Sequence, residues 1–178
     1  SLTIINHRSF RGCSLLRQIT IPSSVTSIGN EAFSDCSLLR QITIPSSVTS
    51  IRNNAFSDCS SLTQITIPSS VTSIGSHAFS GCSSLTQIKI PSFVTELGVH
   101  CFSFCSSLRE ASIPRSINRL GEYNWGLFWP CVYLTTIPSH LYLSTIIQRV
   151  FDGCGNLSQT SITNSHISNR FLPNNNFQ

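Results

Sequence analysis

Charged side chains are scarce in this chain. Only 10% of its 178 residues are Asp, Glu, Lys or Arg, where roughly 25% is usual. Just seven of these are acidic, which makes a hydrolase or metal site built from several carboxylates hard to assemble. The net charge of +4 comes from ten Arg and one Lys. These are spread too thinly to predict a nucleic-acid-binding surface.

Long apolar runs and methionine are also missing. No stretch approaches the ~18 apolar residues that a membrane-spanning helix requires, so no membrane insertion is expected. The hydrophobic content is nevertheless 40%, which excludes a disordered chain, and the length suits one domain. The polarity comes from 33 Ser and 15 Thr. Function must therefore be sought in the internal order of the chain.

A 23-residue repeat provides that order. One unit follows the pattern A-F-x-x-C-x-x-L-x-x-I-x-I-P-x-x-V-x-x-I-G, and five copies align without gaps. The aligned positions include Phe10, Phe33, Phe56, Phe79 and Phe102; Cys13, Cys36, Cys59, Cys82 and Cys105; and Pro22, Pro45, Pro68, Pro91 and Pro114. Five aligned copies of such a template are not a product of chance.

The repeat becomes irregular towards the C-terminus. The spacing from Cys105 to Cys131 exceeds the regular period by three residues, so an insertion lies between them. The pattern predicts one solenoid over residues 1–162, regular over 1–120 and irregular over 121–162, followed by a cap or frayed tail over 163–178. Leu2 and Ile5 occupy the positions of Val25 and Ile28 one unit later, which predicts a further copy before Ser1.

The period is too short for a pair of helices and lies in the range of leucine-rich repeats. The segment Leu62-x-x-Ile65-x-Ile67 predicts a short strand that ends at Pro68. Ala78-Phe79-x-x-Cys82 predicts one helical turn with Phe79 and Cys82 facing inward. Single units cannot bury their apolar face, so the copies must stack into a parallel sheet. The predicted fold is therefore an α/β-type leucine-rich-repeat solenoid of about seven units. Its strands are expected on the concave face, with helical turns or irregular segments on the convex face.

The unit resembles the BspA-like, or Treponema-type, leucine-rich repeats, which share the core C-x-x-L-x-x-I-x-I-P-x-x-V-x-x-I-G-x-x-A-F. The sequence IPSSVTSIG…AFSGCSSLTQI is similar to the repeats of this type that are expanded in parasitic protozoa such as amoebae. The resemblance covers residues 1 to about 162 and is weaker across 121–150. It implies a cell-surface protein that functions in adhesion and binds host matrix proteins.

The exposed positions of the predicted strands form the first candidate binding site. A leucine-rich solenoid usually binds its partners on this concave face. Here the face is neutral, rich in hydrogen-bonding groups and basic at both ends. It consists of three columns: Gln18, Gln41, Gln64, Gln87 and Glu110; Thr20, Thr43, Thr66, Lys89 and Ser112; and Arg17, Arg40, Thr63, Thr86 and Arg109. Such a surface suits a protein or glycan better than a small cofactor. Alternatively, stacked Gln and Thr side chains only satisfy one another.

Departures from the repeat define the second candidate, an aromatic patch. Phe93 interrupts a column of serines, and Phe104 interrupts one that contains Asp35 and Asp58. Both are predicted to face solvent. The candidate patch is Phe93, Phe104, Tyr123, Trp125 and Trp129. Aromatic side chains dominate many interfaces, but these could equally pack together and seal the irregular insertion.

Seven of the eight cysteines share one column, and Cys101 occupies the Ala position of the repeat. Their Cβ vectors would run parallel, about 5 Å apart, which is too far for disulfides. We therefore predict buried free thiols. His77 and His100 are predicted as exposed neighbours. No zinc pattern, phosphate loop or catalytic constellation is recognisable, so the predicted protein has no cofactor, no metal site and no enzymatic activity.

Together these observations predict a non-enzymatic protein-binding repeat module at the cell surface, which recognises a host or matrix protein or glycan. The alternative is a cytoplasmic leucine-rich scaffold or a phosphatase-type regulator, because repeat proteins of one fold serve unrelated partners. Exposed apolar ends of the solenoid would also allow a homodimer.

Overall fold

A computed structural model describes residues 2–117, 126–135, 150–151 and 153–155. The described chain is a parallel β-solenoid with a 23-residue coil, which confirms the predicted solenoid fold. Its strands are β1 (Ile4–Ile5), β2 (Gln18–Thr20), β3 (Ser27–Ile28), β4 (Gln41–Thr43), β5 (Ser50–Ile51), β6 (Ser73–Ile74), β7 (Gln87–Lys89), β8 (Glu96–Leu97) and β9 (Glu110–Ser112). Among the described residues, no helix is long and apolar enough to cross a membrane.

Two sets of strands line different sides of the coil. One is a five-stranded parallel sheet in the order β1-β3-β5-β6-β8. The other consists of the pairs β2-β4 and β7-β9, and a bridge from Thr43 to Thr66 extends the first pair by one coil. Every pairing joins residues one repeat apart, as Ile19 with Ile42 does. Equivalent side chains therefore lie in columns.

Local sequence explains both sets of strands. In β4 the order Gln41-Ile42-Thr43 alternates exposed, buried and exposed, the period-two pattern of a half-buried strand. The second strand of each coil was not predicted, because Val48-x-x-Ile51 shows no alternation. Both of those apolar residues are nevertheless buried. The strand predicted over Leu62–Ile67 contains only the Thr66 bridge.

The helical turn predicted at Ala78–Cys82 is wrong. This side of the coil is a series of turns in which two positions per coil have left-handed backbone, as at His77 (φ 55°) and Gly81 (φ 73°). Left-handed residues interrupt an α-helix. The N–H groups of His77, Phe79 and Gly81 instead donate to carbonyls of the next coil, so this side also forms an inter-coil ladder.

Stacked phenylalanines form the centre of the core. Consecutive rings are 5.0–5.5 Å apart and nearly parallel. The column consists of Phe10, Phe33, Phe56, Phe79, Phe102, Phe128 and Phe151. It passes the three-residue insertion without interruption, because Phe102 stacks on Phe128 at 5.5 Å. The irregular repeats therefore continue the same core.

Seven cysteines form a second column, and all eight in the chain are free thiols, as predicted. Each thiol of this column from the second coil onward donates a hydrogen bond to a phenylalanine carbonyl of the preceding coil, as Cys59 Sγ does to Phe33 O at 3.2 Å. The geometry thus gives these thiols a polar partner within the core. Cys13 is the exception to the predicted burial, since it is exposed. It lies in the first described coil, and no described coil covers it on its outer side.

Candidate functional site

The three polar columns lie together on the β2, β4, β7 and β9 side of the coil. We call this surface the polar sheet face; it contains Arg17, Gln18, Thr20, Arg40, Gln41, Thr43, Thr63, Gln64, Thr66, Thr86, Gln87, Lys89, Arg109, Glu110 and Ser112. All of these side chains are exposed. The structure therefore presents the predicted residues on one surface, while the intervening isoleucines point into the core.

The parallel register determines how the columns are aligned. Gln18 pairs with Gln41, and Thr20 pairs with Thr43. Backbone hydrogen bonds continue outside the strands, where Arg40 N donates to Arg17 O at 3.1 Å. Each column therefore repeats at the inter-strand spacing of about 4.8 Å. This regular spacing suits an extended ligand that contacts several coils.

A groove marks the N-terminal part of the polar sheet face. It has a volume of about 560 Å³ and is lined by Arg17, Gln18, Arg40, Gln41, Ser61, Thr63 and Ser84. These lining side chains carry guanidinium, amide and hydroxyl groups, and none of them carries a carboxylate. The groove can therefore donate many hydrogen bonds to an anionic or hydroxyl-rich ligand.

The arginines of the first two coils differ in whether they form ion pairs with acidic side chains. Arg8 and Arg11 contact the Glu31 carboxylate at 2.9 and 2.6 Å, and Arg11 is also 3.5 Å from Asp35. The Arg8 guanidinium hydrogen bond holds the pKa of Glu31 below its usual value. Among the described residues, neither Arg17 nor Arg40 forms an ion pair with an acidic side chain. The groove therefore keeps its positive charge.

The described residues of the candidate aromatic patch do not form one cluster. Phe104 contacts Trp129 edge-to-face, with ring centroids 5.1 Å apart. The two rings are 50% and 40% exposed, and Phe93 is 65% exposed. Phe93 lies in the turn after β7, whereas Phe104 lies in the turn before β9, and among the described residues no ring contact joins them. Tyr123 and Trp125 lie outside the described residues.

Backbone conformation makes Phe104 unusual. Its φ is 57°, in a column where Gly12, Gly81 and Gly153 also have positive φ. A phenylalanine there costs about 1–2 kcal/mol relative to glycine, and an edge-to-face aromatic pair regains about 0.5–1.5 kcal/mol. A side chain at Gly153 would come within 3.2 Å of the Trp129 ring. Glycine thus leaves room for Trp129, and the pair packs against the irregular coil.

Two exposed apolar residues beside this pair were missed at the sequence level. Val132 is 39% exposed and Tyr133 is 54% exposed. They replace Ser106 and Ser107 of the preceding coil when the three-residue insertion is included in the alignment. That alignment was available from the Cys105–Cys131 spacing and would have identified both.

Chemically reactive groups are sparse in the described region. Burial raises the pKa of the Cys82 and Cys105 thiols well above the usual value, which disfavours the nucleophilic thiolate. His77 and His100 are half-buried rather than exposed, and their rings stack at 5.0 Å. Burial, with a smaller effect of His100, lowers the pKa of His77. The described residues contain no cluster of three or more His, Cys, Asp or Glu suited to a metal.

Similar folds occur in bacterial proteins of known structure. A leucine-rich repeat protein from Bacteroides ovatus is 39% identical with a TM-score of 0.73; the match covers 78% of this chain and 36% of that protein. The leucine-rich repeat protein of T. pallidum is 30% identical with a TM-score of 0.77, covering 89% of this chain and 73% of that one. The pneumococcal vaccine antigen PcpA shares the fold with a TM-score of 0.62. It is 19% identical, and the match covers 76% of this chain and 34% of that protein.

The family follows from the sequence match. A search of the curated proteins finds no match, and the chain spans little more than a third of the Bacteroides ovatus protein's length. The model of the BspA type leucine-rich repeat region, with six copies, matches residues 3–126 and 50–178. With the repeating coil and the stacked Phe and Cys columns, this match shows that the chain belongs to the BspA-type leucine-rich repeat family.

Proposed function

We propose that the chain is a non-enzymatic recognition module that functions in adhesion at the cell surface and binds a host or matrix component on the polar sheet face. Leucine-rich repeats are protein-interaction modules, and the family match identifies no catalytic family. The adhesive role follows from the resemblance to BspA-like proteins. Origin in a parasitic protozoan remains a prediction.

One observation carries this proposal. Exposed Gln, Thr and Arg side chains recur in register on successive coils, as the pairing of Gln18 with Gln41 and of Gln87 with Glu110 shows. Their backbone is held by inter-coil hydrogen bonds, so the side chains are presented on a rigid surface. A preorganised surface loses little conformational entropy when it binds.

Binding can be tested with two charge variants of the full chain. In Gln64→Glu/Gln87→Glu, two carboxylates replace neutral amides on the polar sheet face. The matched control, Ser46→Glu/Ser69→Glu, places the same charges at exposed turn positions. The readout is the affinity of each variant for immobilised matrix proteins and glycans. We expect the first variant to lose at least about tenfold in affinity and the control less than about twofold.

An equal loss of affinity in both variants, or no loss in either, would show that the polar sheet face is not the binding site. Location is tested separately by antibody labelling of intact and permeabilised source cells. Labelling of intact cells supports the surface role. Labelling only after permeabilisation would refute it and favour the alternative of a cytoplasmic scaffold or phosphatase-type regulator.

A further inference from the structure

We propose that the groove around Arg17 and Arg40 is a binding site for the sulfate or carboxylate groups of an anionic polysaccharide. This inference rests on the proposed recognition function and specifies the ligand class for one part of the polar sheet face. Three properties of the groove support it: its charge, the chemistry of its lining and its position on the repeat.

The charge is uncompensated. Arg17 and Arg40 occupy the same column on neighbouring coils, so their backbones are about 4.8 Å apart, and like charges opposite each other on adjacent strands are destabilising. Among the described residues, Glu31 and Asp35 pair with Arg8 and Arg11, and no carboxylate pairs with Arg17 or Arg40. A bound anion would relieve the repulsion between the two guanidinium groups.

The lining fits an oxyanion attached to a hydroxyl-rich molecule. A guanidinium group binds carboxylate or sulfate oxygens through two parallel hydrogen bonds. Around the two arginines, Gln18, Gln41 and Ser61 offer amide and hydroxyl groups that can exchange hydrogen bonds with sugar hydroxyls. None of the described lining residues has an aromatic or aliphatic side chain. Protein-binding hot spots combine Arg with aromatic anchors such as Trp and Tyr; the groove has the arginines without the aromatic rings, so it favours a saccharide over an acidic peptide.

The position of the groove lets a linear polymer extend beyond it. The column that contains Arg17 and Arg40 continues through Thr63 and Thr86 to Arg109, and Thr63 is part of the lining. Hydrogen bonds join Thr86 N to Thr63 O and Arg109 N to Thr86 O. A polysaccharide that follows this column would meet two neighbouring cations, then hydroxyl groups, then a third cation. We therefore expect an oligosaccharide to bind more tightly than a single sulfated sugar.

Isothermal titration of the full chain with a heparin-derived sulfated hexasaccharide tests the inference. Arg17→Gln/Arg40→Gln should lower the affinity at least about tenfold, because two charge-assisted contacts are lost. The control Arg52→Gln/Arg115→Gln removes the same charge from two exposed arginines outside the groove and should change the affinity less than about twofold. Arg17→Lys/Arg40→Lys should lie between them, because lysine keeps the charge but loses the bidentate geometry.

Three results would overturn the inference: no binding at low salt, an equal loss in the control variant, or binding of hexaglutamate as tight as that of the sulfated sugar. The first two exclude the groove as a specific anion site, and the third makes the ligand an acidic peptide. If any of them occurs while Gln64→Glu/Gln87→Glu still impairs binding to matrix components, the proposed function stands without this inference. If the glutamine variant also has no effect, both fail.

Discussion

The first and second coils carry nearly the same sequence pattern but differ in burial. Cys13 is exposed and Phe10 is only partly buried, whereas Cys36 and Phe33 are completely buried. The second coil has a neighbour on each side, and the first has one among the described residues. Burial is therefore a property of the stack rather than of the single unit, as expected for a solenoid.

Burial also changes the pKa of the thiols inside the stack. It raises the pKa of Cys36 in the second coil to about 11 and that of Cys82 in the fourth coil well above its usual value. The difference between the first coil and the coils that follow it can therefore be tested through the cysteines first.

The largest expected difference is in thiol reactivity. With Ellman's reagent at neutral pH, Cys13 should react in a fast phase, and the buried thiols should react slower by a factor on the order of 10³, because they require local opening of the stack. In denaturant, eight thiols should be titrated. A fast phase that persists in Cys13→Ser would contradict the assignment of Cys13 as the exposed thiol.

Alkaline pH should destabilise the middle of the stack strongly. The folded-state pKa values of Cys59, Cys82 and Cys105 are raised by burial, so these thiols stabilise the fold below their unfolded pKa near 9. That stability is lost as the pH rises towards the folded-state value, at about 1.4 kcal/mol for each thiol and pH unit. Urea unfolding in reductant at pH 8 and pH 10 measures the effect.

We expect a loss of several kcal/mol between these two pH values, because six of the described thiols have a pKa raised by burial and the three named ones together contribute about 4 kcal/mol of it. A chain with Cys59, Cys82 and Cys105 replaced by Ala is the control. It should lose about 4 kcal/mol less over this interval, because of these six thiols it keeps only Cys36, Cys101 and Cys131. An equal pH dependence in both chains would show that the thiols are not responsible.

Core truncation should be more costly in the third coil than in the first coil. Phe56 stacks between Phe33 and Phe79, so Phe56→Ala should lower the free energy of unfolding by about 3–5 kcal/mol. Phe10 stacks only on Phe33 among the described rings and is partly exposed, so Phe10→Ala should cost about half as much. An equal loss of unfolding free energy in Phe10→Ala and Phe56→Ala, measured by urea unfolding, would mean that the first coil is as well packed as the third.

The smallest effect is expected from the ion pairs that join Arg8 and Arg11 of the first coil to Glu31 of the second. Glu31→Gln removes the carboxylate that Arg8 and Arg11 share, and Tm should fall by at most about 2–4 °C, because both arginines are exposed. The Arg8 hydrogen bond lowers the pKa of Glu31, so its contribution is present above the unfolded pKa and is lost on acidification. A Tm difference that persists at acidic pH or high salt would contradict this origin.

Much of the architecture could be predicted from the sequence, because period and burial are linked. The recurrence of Phe, Cys, Leu and Ile at one fixed spacing identified the core columns and the exposed columns between them. The second strand could not be predicted, since Val48-x-x-Ile51 lacks alternation. The turn at Ala78–Cys82 has the i, i+3 spacing of a helix, but left-handed backbone at His77 and Gly81 turns its N–H groups towards the next coil.

The candidate sites were predictable to different degrees. Residues of the polar sheet face could be identified column by column, because a strand position repeats its environment in every coil. The groove could not be predicted in this way, because two of its lining residues, Ser61 and Ser84, lie in the segment before the strand and not at a strand position. The contact between Phe104 and Trp129 joins two different columns, because Phe104 aligns with Pro130 when the insertion is included, so aligning equivalent positions does not predict it.

The hydrogen bonds that join residues one repeat apart also determine how the molecule responds to force. Because each coil is held only by its neighbours, tension on the chain should peel off one coil at a time rather than break the whole structure at once. Each event would release one repeat, or about 80 Å of extended chain. A repeat protein built this way lengthens stepwise under load and absorbs work while its remaining coils stay folded.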